Sequence, residues 1–257
     1  MIALILGTSE GREILSLLNK FTDDILISTA TTYGGEILKD YKYKKINTKP
    51  LNKDDFHNML KENKVNILID ASHPYALEVT KNAREVSKDL NIKYVRYERP
   101  SSAEEFKENK KVVFLEGYKD LKDALENING NVLNTSGSRN MGKILDLELE
   151  NRIIHRVLPS VKVLEECFNL GVKVEDIMAI KGPISKELNK AFIKDYDAKA
   201  LILKDSGPQG GTREKILACL ECDIYALVIT RKSINYEVEF NDIDDLVQYI
   251  SLMINNS

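Results

Sequence analysis

The first residues suited to binding chemistry form a glycine-bearing turn at positions 7–12, with the sequence GTSEGR. An unbroken apolar run at residues 2–6 precedes the turn and predicts a strand buried on both faces. The residues after the turn have the apolar spacing of a helix. A strand, a tight turn and a helix together direct backbone N–H groups toward a phosphate group. Because the two glycines are four residues apart, the turn departs from the dinucleotide fingerprint G-x-G-x-x-G, and an ordinary βα corner is the alternative interpretation.

Two further glycine-bearing loops follow predicted strands in the second half of the chain. Residues 204–211 (KDSGPQGG) carry three glycines within five positions, directly after the apolar run 200–203. Backbone N–H groups that no side chain covers are typical of an anion-binding nest, and this loop has the strongest such pattern in the sequence. Residues 135–139 (TSGSR) resemble the turn at positions 7–12. We therefore expect anionic groups to bind at strand ends in both halves.

Arginine is scarce in this chain, where it accounts for 9 of the 37 basic residues. Because lysine is the default cation, an arginine at a predicted loop or strand end indicates a place that needs a planar, bidentate donor. Ordinary surface ion pairs are the alternative interpretation. The arginines in such positions are Arg12, Arg96, Arg99, Arg139 and Arg156.

One of only 3 histidines, His73, follows a predicted apolar strand, within residues 70–76 (DASHPYA). Ligands of parallel α/β sheets bind outside the carboxyl ends of the strands, so this position favours a functional role. A turn residue that bonds to the backbone is the alternative interpretation. Together with Tyr75 beside it and Lys204 in the second half, His73 is a candidate proton donor near neutral pH.

Alternating strand and helix patterns predict the scaffold that positions these loops. Apolar strand segments alternate with amphipathic helices along most of the chain, which is typical of α/β proteins with parallel sheets. Residues 98–111 lose apolar content and gain charge, so they are the best candidate for a domain boundary. We predict an α/β fold in two halves, at residues 1–98 and 99–257, whose polar loops point to a shared edge.

The second predicted strand, at residues 24–30, ends in hydroxyl groups and has no carboxylate at that end. In NAD enzymes an acidic residue at this place holds the ribose 2′-hydroxyl. Its absence removes the charge that would repel a 2′-phosphate. If a dinucleotide binds, the pattern therefore favours NADP over NAD.

Composition excludes several other classes of protein. The net charge is −3 and 43% of the residues are hydrophobic, which indicates no general affinity for nucleic acid or for a membrane surface. Met1 leads directly into a predicted core strand, and we expect no signal peptide, no spanning helix and a cytoplasmic location. The 3 cysteines are too few and too unevenly placed for a disulfide framework. We expect a monomer or a small homo-oligomer.

Seven short motifs, taken together and in order, resemble those of the precorrin-6A reductase family, enzymes of corrin-ring synthesis. They span nearly the whole chain. They are GTSEGR at 7–12, DASHPYA at 70–76, RYERP at 96–100, TSGSR at 135–139, HRVLP at 155–159, KGPISKELN at 181–189 and KDSGPQGG at 204–211.

This resemblance implies two Rossmann-like domains, with NADPH and the tetrapyrrole macrocycle held in the cleft between them. Residues 1–98 would form the cofactor-binding domain and residues 99–257 the substrate-binding domain. The implied reaction is hydride transfer to one double bond of (cobalt-)precorrin-6A to give (cobalt-)precorrin-6B. The segment 28–35 (STATTYGG) resembles the version in anaerobic relatives, whose substrate already holds cobalt in its own ring. No protein metal site is implied.

The motifs assign residues to both ligands. We expect the cofactor to contact Gly7, Thr8, Ser9, Glu10, Gly11, Arg12, Ser28 and Thr29. The macrocycle is a flat apolar disc rimmed with acetate and propionate groups, which calls for dispersed carboxylate-binding groups around an apolar floor. The expected substrate-binding residues are Arg96, Arg139, Arg156, Lys181, Ser206, Gly207, Gly210 and Gly211. A dinucleotide-sensing module without catalysis and a methyltransferase are the alternative functions.

Overall fold

The computed structural model describes residues 1–7, 10–29, 32–231 and 234–255. The chain divides into two compact units. The first comprises Met1–Arg99 and Ile234–Ser257, and the second comprises Pro100–Ser233. Each unit contains one six-stranded sheet in which the paired strands are parallel. The α/β class with parallel sheets, predicted from the alternating pattern, is confirmed.

The strands carry most of the buried apolar residues. In chain order they are β1 (Ile2–Leu6), β2 (Ile25–Thr29), β3 (Lys45–Asn47), β4 (Ile67–Ala71), β5 (Lys93–Tyr97), β6 (Val112–Leu115), β7 (Asn131–Asn134), β8 (Ile153–Val157), β9 (Ile177–Ala179), β10 (Ala198–Lys204), β11 (Tyr225–Ile229) and β12 (Glu239–Phe240).

All but the last of the described helices connect successive strands. In chain order they are α1 (Glu10–Leu18), α2 (Thr32–Glu36), α3 (Lys53–Glu62), α4 (Leu77–Asp89), α5 (Leu121–Leu125), α6 (Met141–Leu145), α7 (Val161–Asn169), α8 (Lys186–Asp195), α9 (Thr212–Glu221) and α10 (Ile243–Asn255). Short 3-10 turns, among them Ser138–Asn140 and Pro208–Gly210, lie in the loops.

The first unit has the strand order of a Rossmann fold. Its sheet runs β3-β2-β1-β4-β5-β12, so the chain moves outward from β1 in one direction and from β4 in the other. The connections therefore diverge between β1 and β4. Ligands of such sheets bind in the crevice at that switch point, outside the carboxyl ends of the two strands.

The second unit has its own switch point. Its sheet runs β9-β8-β7-β10-β11-β6, so the chain leaves β7 toward β9 and leaves β10 toward β11. The loops after β7 and β10 flank the crevice between these two strands. They are the TSGSR and KDSGPQGG segments that the sequence singles out.

Both faces of the first sheet are covered, which explains the continuous apolar runs in its strands. Alternate residues of β1 belong to different clusters. Ile2, Leu4 and Leu6 pack with α1 and α10, whereas Ala3 and Ile5 pack with α3 and α4. A central parallel strand needs apolar side chains at every position for this reason, and β1 is buried throughout its length.

The end of the chain corrects the expected division at residues 99–257. Leu246 and Ile250 of α10 join the apolar cluster that contains Ile14 and Leu18 of α1, so the last helix belongs to the first unit. β12 pairs with β5 and becomes the sixth strand of the first sheet. Because β12 has only two residues, the apolar pattern carries no strand signal there. The last helix joins the first unit because the apolar face of the first sheet on the side of α1 must be covered, and α10 helps to cover it.

Other features bear on the class of protein. None of the helices in the described parts of the chain is long and apolar enough to span a membrane. Among the described residues, no three His, Cys, Asp or Glu side chains are grouped to hold a metal ion. Cys167 and Cys219 are buried thiols, and Cys222 is a partly buried one.

Candidate active site

At the switch point of the first unit, the loops after β1 and β4 approach each other closely. A Cβ atom on Gly7 would lie 3.0 Å from the backbone nitrogen of His73 and 3.3 Å from Cα of Ser72. Any larger residue at position 7 would press on the backbone of the second loop. The glycine is thus needed for the approach of two loops as well as for the expected approach of a phosphate.

Helix α1 begins in the same crevice. A Cβ atom on Gly11 would overlap Cδ2 of Leu6, so this glycine lets the helix pack on β1. Arg12 is exposed on α1. Of the residues expected to hold the cofactor, Thr8 and Ser9 lie outside the described residues.

The Glu10 carboxylate is buried and paired with Arg99, whose Nη2 lies 2.8 Å from its Oε2. The side chain of Glu10 is thus engaged within the first unit, and the expected contact of Glu10 with the cofactor stays a prediction for its backbone N–H. The ion pair offsets a negative charge that would otherwise oppose an anionic ligand at the start of α1.

The hydroxyl groups at the end of β2 bond to β3. Asn47 Nδ2 donates to Ser28 Oγ at 3.2 Å, and Thr29 Oγ1 donates to the backbone oxygen of Asn47 at 3.4 Å. Thr29 is buried, whereas Ser28 is half-buried. Of the two residues expected near a 2′-phosphate, Ser28 is therefore the more accessible.

A buried polar network fixes the loop after β4. Asp70 is fully buried, and its Oδ1 lies 2.9 Å from Nη1 of Arg96. The Tyr94 hydroxyl donates to Oδ2 of Asp70 at 2.7 Å, and the backbone N–H of Ser72 donates to Oδ1 at 3.0 Å. Burial, together with the Asp70 carboxylate, raises the pKa of Tyr94, so its hydroxyl remains a donor. The network joins β4, β5 and the first residue of the loop.

Arg96 has a structural role in this network, which corrects its expected role in substrate binding. Its side chain is 1% exposed. Besides Asp70, it binds Glu98, with Nη2 2.7 Å and Nε 2.9 Å from Oε2, and Nη1 donates to Ser72 Oγ at 3.1 Å. A guanidinium whose donors are used within the first unit is not available to a substrate carboxylate.

Tyr236 closes the network from the segment that returns to the first unit. Its ring stacks on that of Tyr94, with centres 6.3 Å apart and planes at 21°. The guanidinium groups of Arg84 and Arg96 lie 5.4 and 5.7 Å from the centre of the Tyr236 ring. Cation–π contacts of this kind hold residues 234–240 against β5.

His73 and Tyr75 lie together in the loop after β4. The backbone N–H of Tyr75 donates to Nδ1 of His73 at 3.2 Å, and the ring centres are 5.9 Å apart. Because Nδ1 accepts this hydrogen bond, we assign the ring proton to Nε2 in the neutral form. The structure thus places both candidates at the switch point, with His73 organising the turn.

In the second unit a neutral network joins β7 and β8. Asn134 Oδ1 accepts hydrogen bonds from the backbone N–H of Ser136 at 3.0 Å and from its hydroxyl at 2.7 Å. Asn134 Nδ2 donates to Nδ1 of His155 at 2.9 Å. His155 is 1% exposed, and burial lowers its pKa to about 4. The imidazole is therefore neutral at physiological pH and accepts the bond.

The glycine-rich loop after β10 is folded on itself. The backbone N–H of Ser206 donates to Thr212 Oγ1 at 3.0 Å. Those of Gly210 and Gly211 donate to the backbone oxygens of Gly207 at 3.1 Å and Pro208 at 3.0 Å. These three N–H groups are not available to an anion, which corrects the nest expected at Ser206, Gly210 and Gly211.

The glycines of this loop allow a compact turn. Gly207 and Gly211 have φ values of 73° and 64°, in the region that only glycine adopts readily. A Cβ atom on Gly210 would overlap Cβ of Ser206, and one on Gly211 would lie 3.1 Å from Cβ of Pro183. The loop therefore serves as a rigid support for the side chains around it.

Basic side chains surround the carboxyl ends of the strands in the second unit. Arg139 is exposed and makes no ion pair with the described residues, and Lys181 is also exposed. Arg156 is 8% exposed, and its Nη1 lies 3.5 Å from Oδ1 of Asn189. Burial lowers the pKa of Arg156. The guanidinium groups of Arg139 and Arg156 form no ion pair with a described carboxylate, so they are suited to an acidic ligand.

Lys204 ends β10 and is half-buried. Burial, followed by the charges of Arg139 and Lys143, lowers its pKa to about 8. A cation with a pKa near neutrality can release or accept a proton under physiological conditions.

Lys215 is a basic residue of this region that the motifs did not identify. It lies on α9, is 5% exposed, and its Nζ donates to the backbone oxygen of Gly210 at 2.8 Å. Burial, and then the charge of Arg156, lowers its pKa to about 7. The sequence does carry a signal, because Lys215 shares the spacing of the buried residues Thr212, Ile216 and Cys219 and so lies on the apolar face of the helix.

Comparisons with known proteins match nearly the whole chain. A family model described as "Precorrin-6x reductase CbiJ/CobK" matches residues 1–251. A cobalt-precorrin-6A reductase of Methanocaldococcus jannaschii is 38% identical over 251 residues, which cover 97% of this chain and 98% of the relative. A cobalt-precorrin-6A reductase of Methanococcus maripaludis is 34% identical, with 95% and 96% covered.

Among solved structures, one titled "CobK precorrin-6A reductase" is similar to this chain with a TM-score of 0.77. The similarity covers 97% of this chain and 96% of that protein. At 12% sequence identity this likeness concerns the fold alone.

Proposed function

This chain belongs to the precorrin-6x reductase family, and we propose on that premise that it reduces (cobalt-)precorrin-6A to (cobalt-)precorrin-6B with NADPH. The observation that carries the proposal is the match of the family model to residues 1–251, both units included. The resemblance inferred from the motifs is thereby confirmed at the level of the family. The reaction would take place in the cytoplasm.

The first unit fits a dinucleotide. Its strand order is that of a Rossmann sheet, and α1 starts at the switch point beside Gly7. The end of β2 offers Ser28 and, in its described part, no carboxylate that would repel a 2′-phosphate. Gly7, Gly11 and Arg12 would hold the pyrophosphate, and Ser28 would lie near the 2′-phosphate. When bound, NADPH supplies a hydride, and the protein supplies binding and orientation.

The second unit supplies the groups that an acidic macrocycle requires. Arg139, Arg156 and Lys181 would bind acetate and propionate groups at its rim. Their position at the strand ends of a parallel sheet, where ligands bind, supports this role.

We propose a positioning role for His73 and keep Lys204 as the candidate proton donor. Nδ1 of His73 accepts the hydrogen bond from the backbone N–H of Tyr75, and this contact supports a role in holding the turn. Lys204, with a pKa of about 8, is closer to the condition for general acid catalysis near neutral pH.

The proposed function is tested by following the loss of NADPH absorbance with cobalt-precorrin-6A under anaerobic conditions. We expect one NADPH to be oxidised per macrocycle reduced, and a lower kcat/KM with NADH. If NADPH binds without being oxidised in the presence of the substrate, the chain is instead a dinucleotide-sensing module. Equal kcat/KM values for NADH and NADPH would contradict the interpretation of the end of β2.

Replacing Arg139 with lysine should raise the KM for the macrocycle by about ten-fold. Lysine keeps the positive charge but loses the planar fork that binds a carboxylate with two hydrogen bonds. The affinity for NADPH, measured by equilibrium titration, should not change.

The matched control is Arg152→Lys, because Arg152 binds Asp176 near the amino end of β8, away from the strand ends that carry the site. This variant should keep the parent KM. A loss of NADPH affinity in Arg139→Lys would place Arg139 in the cofactor site instead.

A further inference from the structure

We propose that Lys215 and Arg156 together form one carboxylate-binding subsite in the second unit. This inference rests on the proposed function. The subsite would bind a single acetate or propionate group of the macrocycle. Of these two residues, the motifs assigned only Arg156 to the substrate. The proposal adds Lys215 as a specificity-determining residue.

Both side chains are buried cations without an anionic partner. In the described part of the chain, neither one forms an ion pair. The recorded polar contact of Lys215 is the neutral oxygen of Gly210, and that of Arg156 is the neutral oxygen of Asn189. Buried charges in proteins are normally paired, because desolvation without a counter-ion is costly. Glu214, next to Lys215 on α9, has a buried Oε2 without a hydrogen-bond partner, but it forms an ion pair with neither cation in the described part of the chain. A ligand carboxylate can therefore supply the missing partner of Lys215 and Arg156.

Their place in the fold is that of a ligand site. Arg156 lies near the carboxyl end of β8, beside β7, and Lys215 lies on the helix that follows the loop after β10. These elements flank the switch point of the second sheet. The folded loop of residues 207–211 presents the Gly210 oxygen that holds the Lys215 ammonium group.

The charges around Lys215 indicate how the subsite responds to pH. Its surroundings join the two cations: a Cβ atom on Gly182 would lie 3.3 Å from Nη2 of Arg156, one on Gly211 would lie 3.1 Å from Cβ of Pro183, and Lys215 binds the oxygen of Gly210. The charges that act on Lys215 are those of Arg156 on β8, Lys204 at the end of β10, and Glu214 and Cys219 on its own helix. Burial and the nearby cations oppose its protonation, and its pKa is about 7. A carboxylate bound beside it would favour the charged form and raise this pKa. Binding should therefore take up a proton and become tighter as the pH falls toward 7 from above.

The direct test is an NMR titration of the intact protein with lysine labelled at Cε, where Lys215→Met identifies the resonance. Cobalt-precorrin-6A without NADPH is the first probe. The second is uroporphyrin III, whose rings carry acetate and propionate groups. We expect at least one probe to raise the pKa of Lys215. If neither probe changes it, the subsite is wrong whether or not the protein oxidises NADPH, so this failure is distinct from failure of the proposed function.

Affinity measurements provide the second test. Lys215→Met and Arg156→Met should each weaken macrocycle binding by about 10- to 100-fold, the effect of one charge-assisted hydrogen bond. The double variant should lose less than the product of the two effects, since both residues hold the same group. Lys199→Met is the matched control, because Lys199 lies at the amino end of β10 and pairs with Asp197. It should bind as the parent does.

Stability separates this role from a structural one. Because an unpaired buried ammonium group is costly, Lys215→Met should leave the urea midpoint unchanged or raise it. A lower midpoint together with unchanged macrocycle affinity would overturn the proposal and make Lys215 a support of the glycine loop.

Discussion

Replacing Arg96 with methionine is expected to lower the free energy of unfolding by about 3–5 kcal/mol at neutral pH. In the parent, Nη1 of Arg96 lies 2.9 Å from Oδ1 of Asp70. The substitution removes this cation and leaves the Asp70 carboxylate fully buried. It also removes the guanidinium that binds Glu98 and Ser72. Urea denaturation followed by circular dichroism measures the loss.

The double variant Arg96→Met/Asp70→Asn should recover much of this loss, because it removes the uncompensated charge together with its partner. Arg152→Met is the control. Arg152 forms a more exposed pair with Asp176, and such pairs contribute at most about 1 kcal/mol. If Arg96→Met had parent-like stability and weak macrocycle binding, Arg96 would be a substrate ligand, as its position in the sequence first indicated.

Acid should destabilise the second unit through His155, by about 3 kcal/mol. In the unfolded chain His155 takes up a proton near its ordinary pKa of 6.5, whereas in the folded protein burial lowers that pKa to about 4. Between these values the unfolded state binds more protons than the folded state. The free energy of unfolding therefore falls as the pH drops from about 6.5 to 4, and the whole contribution is lost below that range.

His155→Gln tests this expectation, because glutamine stays neutral throughout the range. Compared with the parent, the variant should gain about 3 kcal/mol of relative stability between pH 7 and pH 4. His57→Gln is the control, since His57 is half-buried on α3 in the first unit, outside the network of His155. A His155→Gln variant with the same acid dependence as the parent would show that other groups cause the acid loss.

The arginines show where sequence reasoning reached its limit. Scarcity and position at strand ends singled out Arg96, Arg99, Arg139 and Arg156 alike. In the structure, Arg96 and Arg99 are buried in ion pairs, whereas Arg139 and Arg156 form none with the described residues. The type and position of a residue do not distinguish these cases, because Asp70, which pairs with Arg96, and Glu10, which pairs with Arg99, come from other parts of the chain.

The glycine-rich loop after β10 illustrates the same limit. Its place in the sequence correctly indicated a connection from a strand to the helix that begins at Thr212. It could not show that the N–H groups of Gly210 and Gly211 would bond inside the loop, since that depends on the backbone conformation. The basic residue that we propose as a carboxylate ligand, Lys215, lies instead on the apolar face of the helix that follows the loop.

By itself, the sequence determined the α/β class, the strand-end loops and the family resemblance, because apolar periodicity and short motifs are properties of neighbouring residues. The tertiary structure alone decided that α10 and β12 complete the first unit, since burial of an apolar face joins segments far apart in the chain. It also decided which charges are already neutralised. Charge balance in a buried volume depends on residues that only folding brings together. For this reason the sequence alone could not show that Lys215 and Arg156 are buried cations that form no ion pair with the described residues.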